Sequence, residues 1–189
     1  VSNTPLLHYK QTQHEGGIST PMIIHWPRGL KSPGRWEDSP GHLVDVMATC
    51  VDLAGTSYPE NKNIQLMQGL SLLPCMQVEE REEHQELYFV FGQCRALRSG
   101  DWKVVSFYGQ EWELYHMGED RFEQDNRAKE HPLLVDSLSA RWHMLAEHRD
   151  FLPEQKRRPV KEGPVRYSHP EWHKPELTRD WKPYIVDLP

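Results

Sequence analysis

Hydrophobic and polar positions change texture four times along the chain. Residues 1–20 are polar and mixed, and Gly16-Gly17 marks a tight turn or a close backbone approach. Pro21-Met22-Ile23-Ile24-His25-Trp26-Pro27 is a short apolar run fenced by prolines, too short for a typical helix, and it reads as a buried strand. After a Gly- and Pro-rich loop over 28–40, Leu43, Val46, Met47, Cys50 and Ala54 recur at helical spacing, with Gly55 as a C-cap. The spacing predicts a helix over 41–54, whose apolar face is expected to lose part of its cover in this chain.

Residues 56–85 are irregular, and Glu79–Glu83 reads as a charged, exposed segment. Leu87–Phe91, Arg95–Leu97, Lys103–Phe107 and Glu111–Tyr115 are then short runs rich in aromatic and β-branched residues. Gly92, Ser99-Gly100-Asp101 and Gly109 punctuate them, which predicts an antiparallel meander. Leu134, Leu138, Trp142 and Leu145 restore a helical face just past Pro132, so 86–149 reads as a sheet packed by one helix. The tail from 153 holds seven of the 15 prolines yet keeps Trp172, Trp181 and Tyr184 as anchors; it reads as an extended arm over a surface.

Composition narrows the classes. Lys+Arg 22 against Asp+Glu 28 gives a net charge of -6 over 189 residues, which argues against a nucleic-acid-binding surface. No stretch of 18 apolar residues is present, so no membrane-spanning helix is expected. Cys50, Cys75 and Cys94 lie far apart with no C-x-x-C pair, which excludes a zinc ribbon and a disulfide-stapled miniprotein. The 11 histidines invite a metal-site reading, but His143 and His148 stand five apart, off a shared helix face, and the set reads as surface or core histidines. There is no G-x-S-x-G elbow, phosphate-binding glycine loop or H-E-x-x-H. Val1–Pro5 has no initiator Met, basic n-region or apolar h-region; the expectation is a processed chain or one that starts inside a longer protein. By pattern alone the reading stops at a domain of mixed α and β type.

Motifs extend it. Asn3-Thr4-Pro5, Tyr9-Lys10 and His14-Glu15-Gly16-Gly17-Ile18-Ser19-Thr20-Pro21, running into Ile23–Pro27, closely resemble the type I sulfatases, bacterial arylsulfatases in particular. Further matches follow in order. His42–Thr49 with Asp52-Leu53-Ala54-Gly55 resembles the family's next helix, and Gly69-Leu70-Ser71-Leu72 with Pro74 its G-x-S-L-x-P loop. Arg95-Ala96-Leu97-Arg98 with Gly100–Val105 resembles its R-A-v-R-x-G-D-W-K hairpin. Trp112-Glu113-Leu114-Tyr115, Asp120-Arg121, Glu123, Asn126, Ala128 and His131-Pro132 resemble its closing motif. The resemblance covers residues 3–150.

It implies the C-terminal part of an alkaline-phosphatase-like α/β fold: the end of the large-domain sheet over 1–85, a small antiparallel sheet packed by a helix over 86–150, and the Pro-rich extended tail over 151–189. It implies hydrolysis of a small-molecule or carbohydrate sulfate ester by a formylglycine nucleophile and Ca2+. None of the three cysteines fits the C-x-P/A-x-R motif, and the family's calcium ligands precede its lysine motif. Both groups are therefore expected upstream, and this chain alone is expected to be inactive. Lys10, five residues before E-G-G, is the residue the resemblance carries to the active site, where an ammonium would pair with a sulfate oxygen. His14 would stand beside it, either lining the cleft at the substrate or in a structural role at its rim, Glu15-Gly16-Gly17 would shape the turn that aims Lys10, and His42 and Asp45 would cap or pack the helix start. The sequence departs from the family at Phe89–Cys94, where many arylsulfatases carry a W-E-H-E-G-N stretch; this bears on aryl specificity more than on sulfate-ester chemistry. Two alternatives stand beside this reading: a non-catalytic binding domain or remnant, and a phosphodiesterase or phosphonate hydrolase of the same superfamily.

Overall fold

The computed structural model describes residues 3–59, 64–92, 94–107 and 110–149, within a unit that runs from Val1 to Phe151. The proposed tail arm lies outside the described residues.

The meander forms as the pattern predicts. β1 (Glu86–Phe91), β2 (Cys94–Ser99), β3 (Trp102–Ser106) and β4 (Glu113–His116) make one antiparallel sheet in sequence order. Ser99 pairs with Trp102 across the Gly100-Asp101 turn, and Val104 lies between Leu97 and Leu114 in neighbouring strands. Neighbouring strands are consecutive in the sequence, so no long loop has to close before they pair. The long helix Pro132–Arg149 then packs on one face. Leu138, Trp142, Leu145 and Ala146 bury against Leu97, Val104 and Leu114. The Trp142 indole N–H donates to the Phe89 carbonyl at 3.1 Å, and Arg141 grips the Glu86 carboxylate with two nitrogens at 2.7–2.9 Å.

The opposite face is covered by the N-terminal third of the chain. Here Ala96, Val105, Tyr115 and Met117 form a second, smaller core with Phe89 packed against it. Strand alternation puts Lys103 and Glu113 on the same side as Val105 and Tyr115.

Two expectations from the pattern need correcting. Pro21–Pro27 is not a strand: the segment is exposed and joins no sheet, with Ile23 92% exposed. A strand needs a neighbour to satisfy its backbone, and every strand among the described residues belongs to the meander. The helix predicted over 41–54 is shorter, Asp45–Leu53. Leu43, Val46, Met47 and Cys50 face solvent or are only partly covered, while Asp45, Ala48 and Thr49 are buried. Gly55 does end the helix, at φ +60°. The remaining elements are short helical turns at Glu15–Ile18 and Leu73–Met76. In order, the helices Glu15–Ile18, Asp45–Leu53, Leu73–Met76 and Pro132–Arg149 are α1 to α4.

Candidate functional site

Lys10 sits exposed on a loop that folds back over α1. That fold depends on Gly16 and Gly17. The Gly16 N–H donates to the Leu7 carbonyl at 2.9 Å, and its own carbonyl accepts from Asn3 Nδ2 at 2.5 Å. A Cβ on Gly16 would collide with the carbonyl oxygens of Leu7 and His8, and one on Gly17 with the carbonyl of Thr12. Thr12 closes the loop by donating its N–H and its hydroxyl to the Tyr9 carbonyl, at 3.3 and 3.0 Å. The glycine pair therefore supports the backbone on both sides of Lys10.

The two residues before that pair are tied to the sheet. His14 is 0% exposed, and its Nε2 lies 2.9 Å from the Glu113 carboxylate on β4. The Tyr115 hydroxyl donates to the same Glu113 oxygen at 2.8 Å. The His8 ring stacks on Phe107 and meets the His14 ring edge-on at 4.6 Å between centroids. Burial alone would raise the Glu113 carboxyl, but its hydrogen bond and charge interaction with His14, helped by Tyr115, hold it below the ordinary range. Burial, then the adjacent Glu113 charge, drives the Tyr115 phenol well above its usual value. The sequence reading gave His14 either a place lining the cleft or a structural role; its ring is buried against β4.

Glu15 is held twice. Its backbone N–H donates to Glu123 Oε2 at 2.7 Å, and its carboxylate accepts from Lys103 Nζ at 2.7 Å. Lys103 Nζ also lies 2.7 Å from Glu123 Oε1, so one fully buried ammonium stands between two carboxylates. Burial pushes the Glu123 carboxyl above its ordinary range, against the pull of Lys103. Glu123 reaches inward from a left-handed backbone, φ +57°, within a turn that Asp120 organises. The Asp120 carboxylate accepts the N–H groups of Gln124 and Asp125 at 3.0 and 2.8 Å.

A second buried hub fixes α2. The Asp45 carboxylate accepts the N–H of His42 at 2.7 Å and of Leu70 at 2.9 Å, pairs with Arg81 at 2.8 Å and meets His84 Nε2 at 2.7 Å. Burial opposes the charge, but the His42 and Leu70 N–H groups and His84 hold the carboxyl below its ordinary range. Arg81 donates further to the carbonyls of Pro40, Leu70 and Ser71, so this residue of the acidic 79–83 stretch is a buried anchor rather than a solvated charge. His42 and Asp45 stand at the helix start as the sequence reading had them.

The sequence reading picked out Lys10, His14 and the E-G-G turn, but not Lys103, Glu113 or Glu123. The signal was there: each is a charged residue of a family-like motif, G-D-W-K, W-E-L-Y or D-R-F-E. These motifs, 88 to 108 residues further along the chain, converge on His14 and Glu15.

Among the described residues, no group of three or more His, Cys, Asp and Glu is placed to hold a metal ion. Cys94 is buried and Cys50 exposed, and neither lies in a formylglycine motif. This part of the molecule thus does not fit as the calcium or formylglycine site itself.

Comparison with known proteins agrees with the motif reading. The model of the family described as N-sulphoglucosamine sulphohydrolase, C-terminal, matches residues 7–147. The chain belongs to this family. Curated relatives include an uncharacterized sulfatase of Schizosaccharomyces pombe, 31% identical over 140 residues, covering 68% of this chain and 25% of that protein. N-acetylgalactosamine-6-sulfatase of Canis lupus familiaris is 32% identical over 120 residues, 63% of this chain and 22% of that protein. Arylsulfatase D of Homo sapiens is 35% identical over 103 residues, 54% of this chain and 16% of that protein. Among solved structures, Ps i-CgsB superimposes with a TM-score of 0.64 at 24% identity, over 77% of this chain and 33% of that one. That likeness shows the fold, a small antiparallel sheet packed by a helix, as part of a larger chain. The chain spans about a quarter of the length of the first curated relatives it matches.

Proposed function

We propose that this chain is the C-terminal part of an enzyme that hydrolyses sulfate esters, and that Lys10 is its contribution to the active site. The family match over 7–147 carries the reading. The relatives named above are all sulfatases, which favours neither the binding-module nor the phosphodiesterase alternative. In this reading the formylglycine nucleophile and Ca2+ belong to the preceding part of the protein. The substrate class is a sulfated small molecule or carbohydrate; the relatives' names include both an amino-sugar sulfatase and an arylsulfatase, so the organic part is left open.

Lys10 suits its role on two counts. Its ammonium is exposed, and the loop that bears it rests on the Gly16-Gly17 backbone. A compact cation held in that way can pair with a sulfate oxygen and strengthen the contact as charge builds on the leaving oxygen. His14, buried against Glu113, supports the loop from inside. Such a charge-assisted contact contributes about 1.5–3 kcal/mol. In the intact protein, Lys10→Ala is expected to lower kcat/KM towards a sulfate ester by about ten- to a few hundredfold, with Lys10→Arg restoring only part. Steady-state kinetics on both variants, beside their melting temperatures, provide the check. Unchanged kcat/KM in Lys10→Ala removes the residue from the active site.

A further inference from the structure

The buried ion network of Glu15, Lys103 and Glu123 is larger than a structural turn needs. A four-residue helix can be closed by one backbone contact, yet here three ionisable side chains from α1, β3 and the turn after β4 are taken fully or almost fully out of water. Replacing such a network with apolar residues of similar volume is commonly neutral or stabilising, so stability alone does not explain it. Its geometry explains it better. Both hydrogen-bonding faces of Glu15 are gripped at 2.7 Å, the backbone N–H from the turn after β4 and the carboxylate from β3. Glu15 leads directly into Gly16-Gly17, on which the carbonyls of Leu7, His8 and Thr12 rest, and Lys10 lies between those contacts.

We propose that Lys103 and Glu123 are positioning residues for Lys10: they clamp Glu15 to the sheet and so fix the glycine pair that carries the Lys10 loop. The inference rests on the sulfatase reading for what Lys10 does; the clamp itself rests on geometry alone. Glu123 is the informative end. Removing it leaves Lys103 still paired with Glu15, so a buried charge pair remains balanced. Lys103→Met, by contrast, would leave two facing carboxylates, and its failure to fold would decide nothing.

The experiment uses Glu123→Asn in the intact protein. Asn tolerates the left-handed backbone at this position, and its side chain is too short to reach Glu15. With 4-nitrophenyl sulfate as probe, Glu123→Asn is expected to lower kcat/KM by about ten- to a hundredfold, the usual cost of a small misplacement. In a Lys10→Ala background the same change should cost no more than roughly twofold, because the residue it positions is gone. Fully additive losses would show that Glu123 acts elsewhere and would overturn the proposal. Hydrogen exchange followed by mass spectrometry supplies a readout independent of turnover. Peptides covering 7–18 should exchange faster in Glu123→Asn, while those of α4 stay unchanged. Unaltered exchange at 7–18 overturns the clamp whatever the kinetics show. Wild-type protein with no turnover of any sulfate ester would instead sink the sulfatase reading, and the exchange result would still decide the clamp.

Discussion

At the scale of single residues, the most constrained positions are the smallest. Gly16 has no room for a Cβ because backbone carbonyls, not movable side-chain ends, occupy the space. Gly16→Ala must displace the Leu7–His8 segment, at a cost of about 1–3 kcal/mol. Because that segment leads to Lys10, the variant should lose activity out of proportion to its loss of stability. Denaturant melts and kcat/KM measured side by side on the intact protein would check this; a Gly16→Ala protein with full activity would show that the loop tolerates the shift. This turn was legible in the sequence, since two adjacent glycines in a polar stretch point to close approach. Lys103 was not. Hydropathy reads a strand lysine as an outward, solvated residue, and only contacts with Glu15 and Glu123, 88 positions before it and 20 after it, make the interior affordable for its charge.

At the scale of elements, what could be read depended on whether the deciding contacts were local. The meander and α4 were legible because alternation, glycine turns and helical spacing sit within a few residues of one another. The register and period of α2 were legible too, but its orientation was not. Periodicity identified an apolar face, whereas the buried face is set by Asp45 and Thr49, whose partners Leu70, Leu72, Arg81 and His84 come from a distant irregular segment. Asp45 gives a pH signature. Its folded carboxyl titrates below the ordinary aspartate value of 3.8, so its stabilisation is fully present above that value and is lost as pH falls through the folded one. Asp45→Asn should therefore cost about 3–5 kcal/mol at neutral pH by leaving Arg81 buried without its counter-charge. The gap between variant and wild type should narrow on acidification below about pH 4. Urea unfolding at pH 7 and pH 3 measures both values, and a gap that is constant with pH would show that Asp45 is not the titrating group.

At the scale of the whole molecule, the described residues bury their polar hubs more completely than some of their apolar stretches. Met22 and Ile23 are 59% and 92% exposed, and Leu43 and Met47 are 83% and 56% exposed. Folded monomers rarely leave large apolar patches in water, and such surfaces bind other apolar surfaces when they are free. The sequence reading took Pro21–Pro27 for a strand normally buried in a larger sheet and expected the face of Leu43, Val46, Met47 and Cys50 to lose part of its cover in this chain; both stretches are exposed. The physical consequence is testable on the chain as it stands. Purified alone, it should enhance the fluorescence of a hydrophobic dye and self-associate as its concentration rises. The double substitution Ile23→Lys with Leu43→Lys should reduce both effects while shifting unfolding free energy by no more than about 0.5 kcal/mol, since neither side chain contributes to a packed core. Dye fluorescence, sedimentation at several concentrations and denaturant melts of the two proteins make the comparison. A monomer that ignores the dye and melts sharply would mean that these residues are covered in solution by contacts within the chain.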